Sequence, residues 1–284
     1  MTQHQFALAN MCEITLDQEK RRRMQIDQEI FDTHLFTPKK IEFTSRCIES
    51  QQYNTKCKDK SLSKDQYTFD KDGRVITKNS SIGPTEHERN EYKYNGNAKY
   101  PFEIIDKFGK TIKIERNSED LPIKITSDTI ELIEWAKING YLTIDYAPIT
   151  DKFFTSPGIT KFYKDNILIK AKLYNKTSTA NTICRRYEDK NGNDITDEII
   201  EDEVASKLRY RTARHKNGYI VFSLFNGEVQ GGSKLFGTSY RYKNFDENVN
   251  WTSREVCHHR SSWDISESCT EELRSIEYRS FPKK

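Results

Sequence analysis

Four residues near the C-terminus are of types that hold metal ions: Cys257, His258, His259 and Cys269. Thiolate and imidazole are good zinc ligands, so these four side chains could close a tetrahedral site. Against this, the adjacent histidines would point to opposite faces of an extended strand, and no CxxC or HxxxH pair accompanies them. We therefore predict no cofactor, with zinc at these four residues as the alternative.

The same cysteines could in principle act as nucleophiles beside a histidine base. Such chemistry needs a positioned base and a depressed thiol pKa, and no catalytic motif surrounds either cysteine. The sequence therefore predicts that the protein is not an enzyme.

A basic run follows the middle of the chain and could contact nucleic acid through its cations. An acidic stretch directly before it, which includes Glu198 and Glu201, can neutralise this charge, so nucleic-acid binding is not the favoured interpretation. The candidate contact residues are Lys207, Arg209, Arg211, Arg214 and Lys216.

Aromatic and arginine residues are concentrated in the C-terminal fifth of the chain. Tyr, Trp and Arg are the residue types most enriched at binding hot spots, so this region is the predicted protein-interaction surface, unless the rings fill a core instead. The candidates are Tyr240, Tyr242, Phe245, Trp251, Arg254, His258, His259, Arg260 and Trp263, together with Tyr92 and Tyr94 upstream.

Composition narrows the class of protein. The hydrophobic fraction is 35% and the charged fraction 31%, which suits a small or divided core, and a net charge of +3 is too slight to predict nucleic-acid binding. The six scattered cysteines are interpreted as reduced thiols. The start of the sequence lacks a leader pattern and no stretch of about 18 apolar residues occurs, so we expect a cytoplasmic protein with no membrane contact.

The N-terminal third suggests a helix followed by an arm. Residues 16–36 carry an imperfect helical stripe, whereas residues 44–100 contain only five Val, Ile, Leu or Met among several aromatic residues. Such a segment cannot bury enough apolar area by itself, so we expect it to order against a partner, the alternative being a floppy surface excursion. Within it, Asp70–Gly73 is typical of a hairpin tip.

The remainder, residues 101–284, alternates hairpins with predicted short helices. Turn residues 106–109 separate two strand-like runs, and Asn-Gly pairs recur at further turns. Apolar spacing predicts helices over 127–139, 196–208 and 268–276. The predicted fold class is α+β, an antiparallel hairpin-rich body at 101–284 preceded by a helical segment at 1–43 and an extended polar arm at 44–100.

These features favour a non-catalytic, inhibitory protein that wraps and blocks a larger host protein assembly. An anti-defence protein encoded by a virus or mobile element, acting as a homo-oligomer in the host cytoplasm, would have this form. A metal-dependent nucleic-acid-processing enzyme, a nucleic-acid-binding protein and a structural virion component are the alternatives.

Overall fold

The protein is a closed antiparallel β-barrel of eighteen strands with almost no helix among the described residues. The computed structural model describes residues 10–24, 26, 30, 37–48, 57, 62–128, 130–146, 158–174, 179–201, 206–229, 232–260 and 266–279. Each strand pairs with its neighbours in sequence, and β18 pairs with β1 to close the sheet. The predicted α+β fold is therefore wrong.

The strands follow one another as a meander. Their bounds are β1 Pro38–Ile48, β2 Ser63–Phe69, β3 Val75–Ile82, β4 Thr85–Lys93, β5 Glu103–Asp106, β6 Thr111–Arg116, β7 Pro122–Thr126, β8 Ile130–Ile138, β9 Tyr141–Tyr146, β10 Gly158–Lys164, β11 Ile167–Tyr174, β12 Thr179–Glu188, β13 Asp194–Glu201, β14 Ser206–Arg214, β15 Ile220–Val229, β16 Gly232–Phe245, β17 Trp251–Arg260 and β18 Ser266–Tyr278. A 3-10 helix at Met11–Glu13 and helix α1 at Leu16–Lys20 precede them.

In the described part of the chain, no helix has the length and apolar character needed to cross a membrane.

The predicted helices at 127–139, 196–208 and 268–276 are strands β8, β13 with β14, and β18. In β8, Glu131 and Ile133 are buried, whereas Ile130 and Leu132 are 60% and 52% exposed. A strand normally shows polar and apolar residues in alternation. Here a carboxylate lies on the buried face and two aliphatic side chains lie on the exposed face. The sequence of β8 therefore does not show the alternation of polar and apolar residues that identifies a strand.

The predicted arm at 44–100 is part of the barrel. It contributes the end of β1 and all of β2, β3 and β4, and its aromatic residues supply the buried area that its missing aliphatic residues do not. Tyr67, Tyr92 and Tyr100 are each at most 4% exposed. Rings bury large areas, so a segment with few aliphatic residues can still build a buried face.

One turn design closes five of the hairpins. The side-chain oxygen of the first turn residue accepts hydrogen bonds from the backbone N–H groups two and four residues later, and the fourth residue has a positive φ. The first residues are Asp70, Asp106, Asn117, Asp189 and Asp246. The hairpin tips predicted at Asp70–Gly73 and at residues 106–109 are therefore present.

The fourth turn position is glycine in three of these turns and valine in the turn of β16 and β17. Val249 has a φ of 62° and is 60% exposed, so its β-branched side chain is held in a strained backbone conformation. We expect Val249→Gly to raise the free energy of unfolding by about 1 kcal/mol in a denaturant titration.

Gly109, with a φ of 78° and open space around its Cβ direction, provides the matched reverse substitution. We expect Gly109→Val to lower the free energy of unfolding by about the same amount. If Val249→Gly is destabilising, the left-handed turn is not the conformation of that hairpin.

The chain divides into two compact units, Met1–Arg22 with Lys113–Phe236 (unit 1) and Arg23–Ile112 with Gly237–Lys284 (unit 2). In unit 2, the buried face of β1, β2 and β17 packs Phe43 edge-on to Tyr67 at 6.1 Å and beside Trp251 at 5.8 Å between ring centroids. Its exposed face carries ion pairs, among them Arg46 with Glu271 at 2.6 Å.

All six cysteines form disulfides, Cys12–Cys184, Cys47–Cys57 and Cys257–Cys269. The prediction of reduced thiols is therefore wrong. Spacing gave no clue to the pairing, because Cys12 is bonded to a residue 172 positions away and Cys269 lies in a strand that the sequence assigned to a helix.

Candidate functional site

The N-terminal segment, Asn10–Arg22, precedes the first strand and contains two short helices, each with a capping residue at its start. Asn10 Oδ1 accepts a hydrogen bond from the Cys12 backbone N–H at 3.0 Å at the start of the 3-10 helix. Thr15 and Gln18 form a capping box: Thr15 Oγ1 accepts from the Gln18 N–H at 3.2 Å, and Gln18 Oε1 accepts from the Thr15 N–H at 2.7 Å. These contacts pre-shape a segment that is too short to fold as an isolated helix.

The beginning of the N-terminal segment is attached to β12, β13 and β14. The Cys12–Cys184 disulfide joins it covalently to β12. The Asn10 side-chain amide donates to the Thr196 backbone carbonyl at 3.0 Å and to Thr212 Oγ1 at 3.1 Å, and all three residues are buried. The segment therefore contacts the buried face of these strands through specific polar groups.

Two carboxylates add to this attachment. The Met11 backbone N–H donates to Glu198 Oε2 at 2.6 Å, and Arg214 Nε donates to Glu13 Oε2 at 2.6 Å. Burial raises the pKa of Glu198, although the Met11 N–H and the Arg209 guanidinium act to lower it. A carboxyl group with no exposed area tolerates this position only because both donors reach it.

Helix α1 is anchored by buried charges. Glu19 is 4% exposed and pairs with Lys161, which is 7% exposed, and the Tyr163 hydroxyl donates to Glu19 Oε1 at 3.0 Å. One helical turn later, Arg22 pairs with the buried Glu131 of β8. Carboxylate, ammonium and phenol groups can carry out acid–base chemistry, but here each hydrogen-bonds to another, and the pairing holds the segment in place.

A backbone contact completes the attachment of α1. Arg116 Nη1 of β6 donates to the Lys20 carbonyl at 2.6 Å and to the Asp120 carbonyl at 2.9 Å. The last carbonyls of a helix have no partner within the helix, and cationic donors at that end stabilise them. Both ends of the N-terminal segment are thus fixed to unit 1.

The four predicted metal ligands are on β17 and β18. Cys257 and Cys269 lie directly opposite each other and form a disulfide, with Glu255 Oε1 at 3.5 Å from Cys257 Sγ. Only a thiolate binds metal, so the oxidised pair offers no sulfur ligand. His258 and His259 share hydrogen bonds with the Thr238 and Ser239 hydroxyls at 3.1 and 2.8 Å.

Burial lowers the pKa of His259. For His259, the neighbouring His258 adds to this effect. Zinc at the quartet stays an alternative that would require the disulfide to be reduced first.

The predicted interaction surface comes together largely as a buried cluster of unit 2. The Arg254 guanidinium lies 4.2 Å from the centre of the Trp251 ring, and the Arg274 guanidinium lies 4.4 Å from it. Arg254 also donates to Glu272 at 2.6 Å. Trp251 has no exposed area and Arg254 only 7%, so these residues stabilise the core through cation–π contacts rather than forming an accessible patch.

The other residues of the predicted interaction surface lie in different environments. The ring centres of Tyr240 and Tyr242 lie 5.1 and 5.8 Å from the Arg254 guanidinium, and Phe245 is 45% exposed. The Tyr92 hydroxyl donates to the Met24 carbonyl at 2.5 Å, and that of Tyr94 to the Val75 carbonyl at 2.8 Å. Arg260 ends β17, and Trp263 lies outside the described residues.

The predicted basic run lies on β14 and the turn after it. Arg211 makes two hydrogen bonds to Asp197 at 2.7 and 2.8 Å, which raise the pKa of the guanidinium, and Arg209 pairs with Glu198 at 3.4 Å. Lys216 lies 3.9 Å from Glu188, and Lys207 is exposed. The acidic stretch pairs with Arg209 and Arg211 of this run, and it does so as the neighbouring strand β13 and not as a helix.

Sequence reasoning missed the attachment of the N-terminal segment. Two signals were available: the Thr15-x-x-Gln18 pattern that marks a helix start, and the even number of cysteines. The strand partners Glu131, Lys161 and Glu198 gave no signal, because a charged residue in a strand is ordinarily assigned to the exposed face.

No protein-family model matches the chain, and no curated protein matches it. Among solved structures, one similar chain is a porin-like protein from Bacteroides uniformis, with 11% identity and a TM-score of 0.42, covering 86% of this chain and 99% of that one. At this level the likeness carries no argument about function.

The barrel and its disulfides overturn the functional predictions. A soluble, viral anti-defence inhibitor that wraps its target with a free arm is wrong, because the arm consists of barrel strands. The cytoplasmic location is wrong as well, because three disulfides are typical of an oxidising compartment. The expectation of a protein partner without membrane contact is wrong with them, because it was drawn for a soluble cytoplasmic protein with a free arm.

Proposed function

We propose that this chain is a non-catalytic, disulfide-locked β-barrel that works in an oxidising compartment outside the cytosol, with its N-terminal segment as a fixed plug on the buried face of unit 1. The observation that carries the proposal is the pairing of all six cysteines. Cytosolic thiols are kept reduced, whereas secreted and envelope proteins keep such bonds.

The chemistry of the buried face supports a permanent plug. Glu198, Lys161 and Glu131 are buried, and each is bound to a group of the N-terminal segment. Withdrawing the segment would break the buried ion pairs Glu19–Lys161 and Arg22–Glu131, which costs about 3–5 kcal/mol for each broken pair, and would remove the Met11 N–H from Glu198. Reversible release of the N-terminal segment from the strands would therefore cost much free energy, and the Cys12–Cys184 disulfide opposes it covalently.

The same groups support a non-catalytic role. The six sulfurs are oxidised, and the carboxylate of Glu19 is bound to the ammonium of Lys161 and the hydroxyl of Tyr163. Groups that are mutually neutralised and buried are poorly placed to exchange protons with a substrate. The chemistry of this face therefore favours structure over turnover.

Thiol counting in the native cell tests the proposal. Intact cells are treated with a membrane-permeant alkylating reagent, and the protein is then denatured and its alkylated cysteines are counted by mass spectrometry. We expect no alkylated cysteine without reductant and six after reduction, with the protein in the extracytoplasmic fraction. Six alkylated cysteines in unreduced protein from the cytosolic fraction would contradict the proposal.

A further inference from the structure

The exposed face of β10, β11 and β12 carries a basic patch within unit 1. The register places Phe162, Lys170 and Ile183 side by side on the three strands, with Thr160, Lys172 and Asn181 as the adjacent row. Lys164 and Arg185 lie farther along the same strands and are exposed. We call these eight residues the β10–β12 face.

The cations of the β10–β12 face differ from those of the neighbouring strands. Arg209, Arg211 and Arg214 each pair with a carboxylate. Within the described ranges, none of Lys164, Lys170, Lys172 and Arg185 forms an ion pair. Four cations on one stretch of sheet raise the local potential and attract anions.

Three acidic residues border the β10–β12 face. Asp145 lies opposite Thr160 and Glu201 opposite Asn181, both at the same end, whereas Asp197 lies opposite Arg185 and is already bound to Arg211. The positive region therefore extends along β11, from Lys172 through Lys170 to the level of Lys164 and Arg185. A bound anion would follow the strands in this direction.

The spacing of the β10–β12 face fits a repeating anion better than a single one. Neighbouring strands lie about 4.8 Å apart, and alternate residues of one strand about 6.7 Å apart. Lys170 and Lys172 are alternate residues of β11, and the other two cations lie on either side. Such an array meets several charges of a linear polymer at once.

Apolar side chains lie between these cations. The Lys170 ammonium is 4.6 Å from the centre of the Phe162 ring, and Ile183 is 37% exposed. The C–H faces of sugar rings pack on such a surface, while their acidic groups reach the flanking lysines. Positive charge beside a small apolar surface therefore favours an acidic sugar chain over an isolated phosphate.

We infer that the β10–β12 face binds a linear acidic polysaccharide. The choice of polysaccharide over nucleic acid rests on the proposed function, since outside the cytosol the abundant linear polyanions are acidic glycans. The binding itself depends only on the face, so it can be tested apart from the compartment.

The test measures binding of the purified, fully oxidised full-length chain to a size-defined heparin octasaccharide by titration calorimetry at low salt. We expect Lys170→Glu/Lys172→Glu to weaken binding by about tenfold or more, because it reverses two of four contact charges. Lys137→Glu/Lys190→Glu changes net charge equally at exposed positions outside the face, and we expect less than a twofold effect. Lys164→Gln/Arg185→Gln removes the cations of β10 and β12 and tests separately how much these two strands contribute to octasaccharide binding.

A second arm separates glycan from other polyanions. Phe162→Ala should weaken octasaccharide binding about threefold without changing its salt dependence, because it removes apolar contact and no charge. Absence of binding, equal loss in the face and control variants, or tighter binding of single-stranded DNA of matched charge would overturn the inference. Free thiols in the native cell would overturn the proposed function and leave these results unchanged.

Discussion

Replacing Cys12 and Cys184 together by alanine should lower the free energy of unfolding by about 5 kcal/mol in a denaturant titration of the oxidised protein, since a cross-link stabilises mainly by restricting the unfolded chain. The restriction grows with loop length, and these cysteines are 172 residues apart. The substitution also frees one end of the N-terminal segment from β12.

The Cys47–Cys57 bond provides the control. It spans only 10 residues, so its removal by the same double alanine substitution should cost about 3 kcal/mol. The larger effect at Cys12–Cys184 is the decisive result. Equal or smaller destabilisation there would mean that the N-terminal segment is not held on unit 1 by this bond.

Lys161→Met should lower the free energy of unfolding by about 3–5 kcal/mol, because it removes the ammonium that pairs with the buried carboxylate of Glu19. Methionine keeps most of the volume of the side chain, so the loss reports charge and not packing. Thermal and urea unfolding of the same variant measure it.

Two further variants test whether that loss of stability comes from a buried charge. Lys137→Met removes an exposed cation that lies 3.3 Å from Glu119, and we expect a change below about 1 kcal/mol. Adding Glu19→Gln to Lys161→Met should recover a large part of the stability, because the buried carboxylate that lost its ammonium partner is then replaced by a neutral amide. A loss at Lys161 no greater than at Lys137 would show that the pair is not buried.

The hairpins were predictable from sequence, and the closed sheet was not. Asp70–Gly73 and residues 106–109 were recognised because an Asp at the start of a turn and a Gly at its fourth position have local causes. Pairing of β18 with β1 joins residues more than 200 positions apart, and no local pattern encodes it.

The helices were predicted wrongly because the buried face is partly charged. Glu131 of β8 and Glu198 of β13 are buried against the N-terminal segment, and Arg274 of β18 is buried beside Trp251. Their positions remove the alternation that identifies strands, and the remaining apolar residues fall at helical spacing. A segment that supplies the counter-charges makes such strands stable, and a single sequence does not show which segment that is.

Residue type identified the cluster around Trp251 but did not decide between an interface and a core. Tyr, Trp and Arg favour interfaces, and they also build cores in which a guanidinium lies on a ring. Arg254 donates a hydrogen bond to Glu272, and its guanidinium lies on the Trp251 ring. Composition identifies such a group, and only the register of β17 and β18 assigns it to the buried face.

Mapping the disulfides of the purified protein tests the central claim most directly, by non-reducing proteolysis and mass spectrometry of the linked peptides. The disulfide-locked plug predicts one peptide pair joining Cys12 to Cys184, with Cys47 joined to Cys57 and Cys257 to Cys269. A free Cys12, or Cys12 joined to any other cysteine, would contradict it.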